Sequence, residues 1–214
     1  MTITGARPSG RLPKTERRTQ VLSAALEVFV NAGYHAAGMD DIAERAGVSK
    51  PVLYQHFASK LDMYLALLDA GIAEFHASYT AGLRSTSDNK ARVQRTVQAY
   101  FAFVEDPQGA YRLVFESDLI NEPAVRERVD RADLAITQEI AKVITEDTGL
   151  SAQQALLLGS GMVGMSQVAA RRWLRHARTE ISRDEAAELI TSLGWRGISG
   201  FPLSHPPEDQ ATSS

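Results

Sequence analysis

The chain of 214 residues is 44% hydrophobic and 23% charged, which is ordinary for a soluble globular protein of one large or two small domains. It contains no cysteine, which excludes disulfides, thiolate metal sites and cysteine nucleophiles. The formal net charge is −3, a value that by itself argues against a polyanionic partner.

The first residues form a polar and basic arm. Residues 1–18 contain five basic residues and one acidic residue, a net charge of +4 that leaves −7 for the rest of the chain. This asymmetry favours a polyanionic partner at the amino-terminal end, although a solvated tail is an equal alternative for Arg7 and Arg11. The arm has no apolar core that could act as a secretion signal, so we expect a cytoplasmic protein with no membrane partner. Residues 1–13 are predicted to be flexible.

Apolar residues then recur at helical spacing along almost the whole chain, and no stretch alternates convincingly with the period of a strand. We therefore predict an all-α protein of about nine helices. Residues 14–58 are predicted to form a three-helix helix-turn-helix domain, and residues 59–197 a larger helical domain for ligand binding and dimerisation. The tail, residues 198–214, is rich in proline and polar residues and is predicted to be loose.

Three predicted helices lie before residue 59. The first covers about residues 14–32 and the second about residues 40–46, each followed by a glycine that ends it. Ser49 is placed to cap the third, in which Pro51 falls in the first turn, where its missing N–H costs nothing. Two short helices joined by Ala-Gly-Val-Ser after a longer helix are typical of a helix-turn-helix, whose second helix presents its amino-terminal residues to the major groove of DNA.

The third helix has an inward and an outward face. Val48, Leu53 and Phe57 are predicted to point inward and hold the domain's core. The outward residues that can meet base edges or thymine methyl groups are Lys50, Pro51, Val52 and Gln55. Donors at the edge of that face, suited to phosphate oxygens, are Tyr54, His56 and Lys60. Taken singly, these three also fit a packed aromatic residue, a surface histidine and a solvated lysine.

The segment GYHAAGMDDIAERAGVSKPVLYQHFASK resembles the DNA-binding domain of the tetracycline-repressor (TetR) family. The family's pattern has an aromatic residue after glycine, then D-I-A-x-x-A-G-V-S, then L-Y-x-H-F-x-x-K, and the match covers about residues 15–63. The resemblance implies a ligand-responsive transcriptional regulator, expected to be a repressor, that binds double-stranded palindromic operator DNA. Beyond this segment the resemblance is only to the family's general plan of helices.

The resemblance also assigns roles to residues. It implies that Lys50, Val52 and Gln55 read bases. The residues that it implies contact the DNA backbone are Ser49, Tyr54, His56 and Lys60. One position departs from the pattern, because many members have Ser or Thr before the second helix, where it caps that helix and touches a phosphate. This chain has Gly38 there, so that contact is either absent or made by a backbone N–H.

Residues 155–170 carry no charge on any side, which predicts a helix buried all round. One face can pack into its own domain. A second apolar stripe would be exposed in a monomer, and a two-fold partner would bury it. The last helix is the natural companion, and the family resemblance implies a four-helix dimer seam. The predicted homodimer residues are Leu156, Ser160, Val163, Gln167, Ala170, Leu174, Leu189 and Leu193. The same run contains G-x-G-x-x-G at residues 159–164, which we interpret as accidental because no strand precedes it.

Aromatic residues and methionines in the second domain suit an adaptable, mostly apolar pocket, although a filled core is an equal alternative for each. The candidate lining residues are Phe101, Phe103, Tyr111, Phe115, Met162 and Met165. Few charges accompany them, so we predict an apolar or amphipathic effector. A long acyl chain, either a fatty acid or a thioester such as acyl-CoA, is preferred, with Arg112 or Arg171 at its polar head.

The alternative function is an enzyme, or a helical protein that binds small molecules without binding DNA. An enzyme needs convergent acid, base or nucleophilic groups. The five histidines are scattered, with no His-x-x-x-His pair for a metal, and the paired carboxylates lie on polar helix faces or ends. We therefore expect no catalytic residue, no metal and no cofactor.

Overall fold

The computed structural model of the chain describes residues 13–106, 110–115, 119 and 121–198. Across these ranges the chain forms nine α-helices and no strand, which confirms the predicted all-α class. The helices are α1 (Lys14–Ala36), α2 (Met39–Ala46), α3 (Lys50–His56), α4 (Lys60–Arg84), α5 (Asn89–Glu105), α6 (Ala110–Phe115), α7 (Pro123–Thr148), α8 (Ala152–His176) and α9 (Arg183–Ile198). No helix in the described ranges is long and apolar enough to cross a membrane.

The chain divides into two compact units, Met1–Leu67 and Leu68–Ser214, which we call the amino-terminal and carboxy-terminal units. The division falls inside α4, so this helix contributes to both units. The sequence had suggested a boundary at the start of α4, where a turn separates it from α3.

The amino-terminal unit is built on α1, against which α2 packs. Glycine kinks the first helix and terminates the second. Gly33 interrupts α1 with φ 78° and ψ 166°, and one further turn follows it, so the predicted end marks a kink. Gly47 adopts φ 64° and ψ 35° after α2, a left-handed conformation that costs glycine little. Leu53 and Phe57 are buried as predicted, whereas Val48 is only half-buried.

The carboxy-terminal unit is formed around α8, which packs on α5, α7 and α9. Gly159 makes the contact with α7 possible, because a Cβ at this position would lie 2.9 Å from the carbonyl oxygen of Thr137. The G-x-G-x-x-G residues therefore belong to one continuous helix, where they have no role in dinucleotide binding.

Within a single chain this helix leaves one apolar face uncovered, the face for which the sequence predicted a two-fold partner. Leu157 is 74% exposed and Val168 is 66% exposed, while a Cβ at Gly161 or Gly164 would have no neighbour within 4 Å. The four positions are spaced by four, three and four residues, so they follow one face of α8. On α9, Leu189 and Leu193 are exposed as well.

Candidate nucleic-acid interface

The turn between α2 and α3 is held by backbone hydrogen bonds. The N–H groups of Gly47 and Val48 donate to the carbonyl oxygens of Glu44 and Ala43, each over 3.0 Å. Ser49 has extended backbone angles at the start of α3, but its side chain makes no capping hydrogen bond. The predicted cap is therefore absent, and the backbone carbonyl of Ser49 accepts the N–H of Val52 over 2.9 Å. The hydroxyl of Ser49 is exposed beside the first turn of α3.

A surface groove of about 610 Å³ lies along this turn and one side of α3. Its lining residues are Lys14, Arg17, Gly47, Val48, Ser49, Val52, Gln55 and His56. It therefore brings together four of the predicted DNA-binding residues with two cations from the first turn of α1. Sequence reasoning recognised Lys14 and Arg17 only as part of a basic arm; their spacing of three residues on a helix was the signal that they share a face.

Arg17 is held in place at the edge of the groove. Its Nη1 donates to Oε1 of Gln20 over 3.1 Å, and Nε2 of Gln20 donates to the carbonyl oxygen of Ala46 over 2.8 Å. The second bond satisfies a carbonyl at the end of α2, where helices leave such groups without a partner. The cation of α1 and the end of α2 are thus linked through one glutamine.

Besides Lys60, three predicted residues do not line the groove. Lys50 is half-exposed, and its Nζ donates to Oδ2 of Asp40 over 2.9 Å, which raises the pKa of the lysine above its ordinary value. Pro51 and Tyr54 are exposed on α3. All three remain accessible to a large partner.

His56 lies half-buried at the end of α3 and lines the groove. Among the residues that the structure describes, none makes a hydrogen bond to its Nδ1, which is buried. A neutral imidazole carries one donor and one acceptor, so the ring can still supply a donor on its exposed side.

Lys60 does not line the groove, and its side chain is engaged within the protein. Its Nζ donates to the carbonyl oxygens of Tyr34 over 2.8 Å and Ala37 over 2.9 Å, and reaches that of His35 at 3.5 Å. The ammonium also lies 4.4 Å from the centre of the Tyr34 ring. An ammonium has three donors, and here all three face the protein. The phosphate contact that the sequence predicted would require this ammonium to leave at least one of these carbonyl oxygens.

Gly38, where the pattern has Ser or Thr, is the N-cap of α2, and its N–H donates to Oδ2 of Asp41 over 3.0 Å. The backbone donor that the sequence left open for a phosphate is therefore engaged within the protein. A Cβ at Gly38 would lie 2.8 Å from the same carboxylate oxygen, so a larger residue would displace Asp41.

Comparisons with known proteins identify the family to which the chain belongs. The family model described as bacterial regulatory proteins, tetR family, matches residues 21–67. The HTH-type transcriptional activator FasR of Mycolicibacterium smegmatis (strain ATCC 700084 / mc(2)155) is 46% identical over 200 residues, which cover 94% of this chain and 91% of the relative. The chain belongs to the TetR family.

Solved structures show the same fold over both units. A TetR-like transcriptional regulator from Rhodococcus sp. RHA1 is 27% identical, with a TM-score of 0.72, and the match covers 89% of this chain and 100% of that chain. FadR from Bacillus subtilis, solved in complex with stearoyl-CoA, is 18% identical, with a TM-score of 0.69, and the match covers 84% and 98%. This TetR-family member is therefore a DNA-binding transcriptional regulator rather than an enzyme.

The residues predicted to bind the effector differ in how deeply they are buried. Phe101 and Tyr111 are buried, while Phe103 is partly buried and stacks on Phe75 with ring centres 4.5 Å apart. Met162 and Met165 are half-buried on α8. The remaining candidate, Phe115, belongs to α6, and its side chain lies outside the described residues.

A half-buried polar pair joins α7 and α8 in the carboxy-terminal unit. Nε2 of Gln167 on α8 donates to Oδ1 of Asp133 on α7 over 2.8 Å. Burial raises the pKa of Asp133, an effect that Gln167 and the nearby Arg171 partly offset. Burial likewise raises the pKa of Tyr100 on α5. Asp133 is one of the paired carboxylates that the sequence assigned to a polar helix face, whereas in the structure it is partly buried against α8.

The predicted dimer residues also require a correction. Ala170 is fully buried within its own unit, and Leu156, Val163 and Leu174 pack partly buried against the same core. Gln167 is engaged with Asp133, whereas Ser160 is exposed. The predicted stripe on α8 is therefore displaced by about one residue from the exposed stripe of Leu157, Gly161, Gly164 and Val168. Ala170 is not available to a partner.

Proposed function

We propose that this cytoplasmic regulator binds a palindromic operator as a homodimer and that an amphipathic effector with a long acyl chain weakens that binding. The observation that carries the proposal is the groove along α3, which joins recognition-helix residues to two fixed cations of α1. Each step below rests on a separate set of residues.

Residues of the groove and the outer face of α3 have two roles in DNA recognition, base reading and phosphate contact. Base edges are read by Val52 and Gln55, and by Lys50 once its ammonium leaves Asp40. Phosphates are held by the residues around that face, which fix the register of the protein on the duplex. These are Lys14, Arg17, Ser49, Tyr54 and His56, with Pro51 in van der Waals contact beside them.

The homodimer uses the exposed faces of α8 and α9. Leu157 and Val168 flank two glycines that leave room for a close approach of another backbone, and Leu189 and Leu193 extend the apolar surface. Exposed apolar residues grouped in this way favour a protein interface, and a two-fold arrangement lets one surface cover its own copy. Two recognition helices then face two half-sites about one DNA turn, or a multiple of it, apart.

The effector binds in the carboxy-terminal unit among the aromatic residues and methionines of α5, α6 and α8. Their apolar character suits an acyl chain, and the fold likeness to FadR, a protein crystallised with stearoyl-CoA, supports the same ligand class. The polar end of the effector meets Arg171 and Asp133, two charged residues that lie half-buried beside the apolar core. Arg112, the other predicted partner, is exposed on α6.

The direction of regulation follows the relative of highest identity reported above. The sequence suggested a repressor, but the 46% identical relative is named an activator. We therefore propose that the DNA-bound regulator activates transcription and that the effector switches activation off. Since α4 belongs to both units, displacement of its carboxy-terminal part by the effector would change the spacing of the recognition helices.

The test begins by selecting bound fragments from a pool of genomic DNA, which identifies the operator. Calorimetry then follows binding of fatty acids and acyl-CoA thioesters, with and without operator. We expect ligand to weaken operator binding by about 5–150-fold, a coupling of about 1–3 kcal/mol, and operator to weaken ligand binding by the same factor. Binding of an acyl ligand that leaves DNA affinity unchanged would refute the mechanism, and retention of no specific fragment would refute the DNA-binding proposal.

A further inference from the structure

A glutamine near the start of α1 connects two parts of the amino-terminal unit that are far apart in sequence. Nη1 of Arg17 donates to Oε1 of Gln20 over 3.1 Å, and Nε2 of Gln20 donates to the carbonyl oxygen of Ala46 over 2.8 Å. The first bond joins two residues on one face of α1, whereas the second spans 26 residues. A single amide group therefore contacts a cation of the groove and the last residue of α2.

The two contacts need opposite hydrogen-bonding groups. An arginine side chain has donors only, so its partner must be an acceptor, while a carbonyl oxygen needs a donor. A primary amide supplies one of each. Glutamate in place of Gln20 would leave the carbonyl of Ala46 facing a carboxylate, and lysine would bring another cation against Arg17. The site therefore requires both the amide group and the length of a glutamine.

The carbonyl of Ala46 lies where the backbone turns toward α3. It directly precedes Gly47, whose left-handed conformation ends α2, and the backbone bonds of the turn end on the carbonyls of Ala43 and Glu44. The last carbonyl groups of a helix lack intrahelical donors, and Ala46 is buried, so an unmet acceptor here would destabilise the fold. The amide of Gln20 meets this acceptor and fixes the start of the turn against α1.

The guanidinium of Arg17 lies at a position that does not favour it by itself. Arg17 belongs to the first turn of α1, where the helix dipole disfavours a cation, and Lys14 brings a second cation to the same groove. A long arginine side chain also has many rotamers, whose number falls when the side chain is held by a partner. Because Gln20 holds the guanidinium at the edge of the groove before DNA binds, less conformational entropy is lost on binding.

We infer that Gln20 is a positioning residue for DNA recognition, which holds Arg17 at the groove and fixes the turn before α3 against α1. The contribution through Arg17 rests on the proposed function, in which that cation contacts a phosphate. The contribution to the turn does not depend on DNA.

The first test measures amide hydrogen exchange in the full-length protein without DNA. Gln20→Met keeps an unbranched side chain but removes both hydrogen bonds, so exchange at Gly47 and Val48 is expected to become about fivefold faster. Exchange at residues 24–29, in the middle of α1, should stay the same. The matched control is Thr19→Met, which places the same side chain at the neighbouring exposed position of α1 and should change neither segment.

The second test measures operator binding in a double-mutant cycle. Gln20→Met is expected to lower operator affinity about fivefold in the unaltered chain, but by no more than about twofold in an Arg17→Ala background. The loss is smaller there because the guanidinium that Gln20 positions is absent, and only the effect on the turn remains. Thr19→Met should leave affinity unchanged in both backgrounds.

The two measurements fail in different ways. Equal losses of affinity in the two backgrounds would overturn the role through Arg17. Exchange at Gly47 and Val48 that does not change, or that rises equally at residues 24–29, would overturn the role at the turn. If the unaltered chain binds no specific DNA, the proposed function fails, and the exchange comparison still decides whether Gln20 fixes the turn. If Gln20→Met does not fold, Gln20→Ala takes its place, because alanine is the residue most favourable to a helix.

Discussion

The two units of the regulator are stabilised in different ways. In the amino-terminal unit, long polar side chains connect helix ends over short distances: Lys60 reaches the end of α1, and Gln20 reaches the end of α2. In the carboxy-terminal unit, aromatic rings fill the space between long helices, and burial raises the pKa of Tyr79 to about 12. A small unit buries a smaller share of its surface, so polar connections make up part of what packing alone does not supply.

This difference decides what each unit can do. Polar connections in the amino-terminal unit set the backbone positions on which DNA recognition depends. An apolar interior in the carboxy-terminal unit can admit an apolar ligand without losing specific hydrogen bonds. We therefore expect substitutions in the first unit to change DNA binding, and substitutions in the second to change assembly, stability or the response to effector.

The largest expected effect tests whether the exposed faces of α8 and α9 in the carboxy-terminal unit form the dimer interface. Val168→Arg introduces a charge into the proposed interface, where it would be buried without a partner. We expect dissociation of the dimer and a loss of operator affinity of more than about 100-fold, equivalent to at least about 2.7 kcal/mol. Sedimentation and operator titration measure the two effects.

The control is Gln98→Arg, which adds the same charge at an exposed position of α5. It should leave the chain dimeric and its DNA affinity unchanged. A Val168→Arg protein that remains a dimer at micromolar concentration would show that the interface lies elsewhere.

The next effect tests packing within the carboxy-terminal unit. Gly159→Val places side-chain atoms against the backbone of α7, where even a Cβ would lie 2.9 Å from the Thr137 carbonyl oxygen. Overpacking of this kind costs about 1–3 kcal/mol, which lowers Tm by about 2–4 °C for each kcal/mol. Gly197→Ala, whose Cβ would have no neighbour within 4 Å, should leave the thermal unfolding midpoint unchanged or slightly raised. Equal midpoints for the two variants would contradict the close approach of α7 and α8.

Within the amino-terminal unit, base reading and phosphate contact should separate. Gln55→Ala is expected to relax preference at one or two operator positions, because a discriminating base contact contributes about 1–3 kcal/mol. Arg17→Ala should weaken binding to all sequences alike. Selection from a randomised operator pool measures both, and a changed consensus for Arg17→Ala would mean that this cation reads bases.

A smaller change is expected when Lys50 is released from its partner. Asp40→Asn removes the carboxylate that holds the Lys50 ammonium and also removes a negative charge beside the DNA-binding face. Exposed ion pairs contribute about 0.2–1 kcal/mol, so operator affinity should rise by about 1.4- to fivefold. Glu44→Gln removes an exposed carboxylate from the same helix and controls for the charge change alone. An equal gain in both variants would show that the ion pair has no separate role.

The smallest effect concerns the polar pair in the carboxy-terminal unit. Because burial raises the pKa of Asp133 above its unfolded value, ionisation of this group disfavours the folded state as pH rises through the folded pKa. Asp133→Asn keeps an acceptor for Gln167 without the charge, so it should raise the thermal unfolding midpoint at neutral pH. The gain should vanish at pH values below the usual range for aspartate, where the native carboxyl is protonated. A gain that does not depend on pH would point to a cause other than ionisation.

Much of the amino-terminal unit could be predicted from sequence alone. Gly47, Leu53 and Phe57 have the predicted conformation or burial, because short-range turn geometry and helical spacing determine both. The helix-turn-helix could therefore be recognised from a run of about thirty residues. Its missed features, the cations of α1 at the groove and the engagement of Lys60, depend on residues more than twenty positions away in sequence.

In the carboxy-terminal unit, the sequence by itself determined the helices and their apolar character, and the tertiary structure decided which face meets which neighbour. Helical periodicity indicated an apolar stripe on α8, but a shift of one residue rotates the stripe by about 100°. The packing of α8 on α5, α7 and α9, with α7 close against Gly159, leaves Ala170 buried and Val168 exposed. The pairing of Asp133 with Gln167 has the same origin, because the two residues become neighbours only when α7 and α8 pack together.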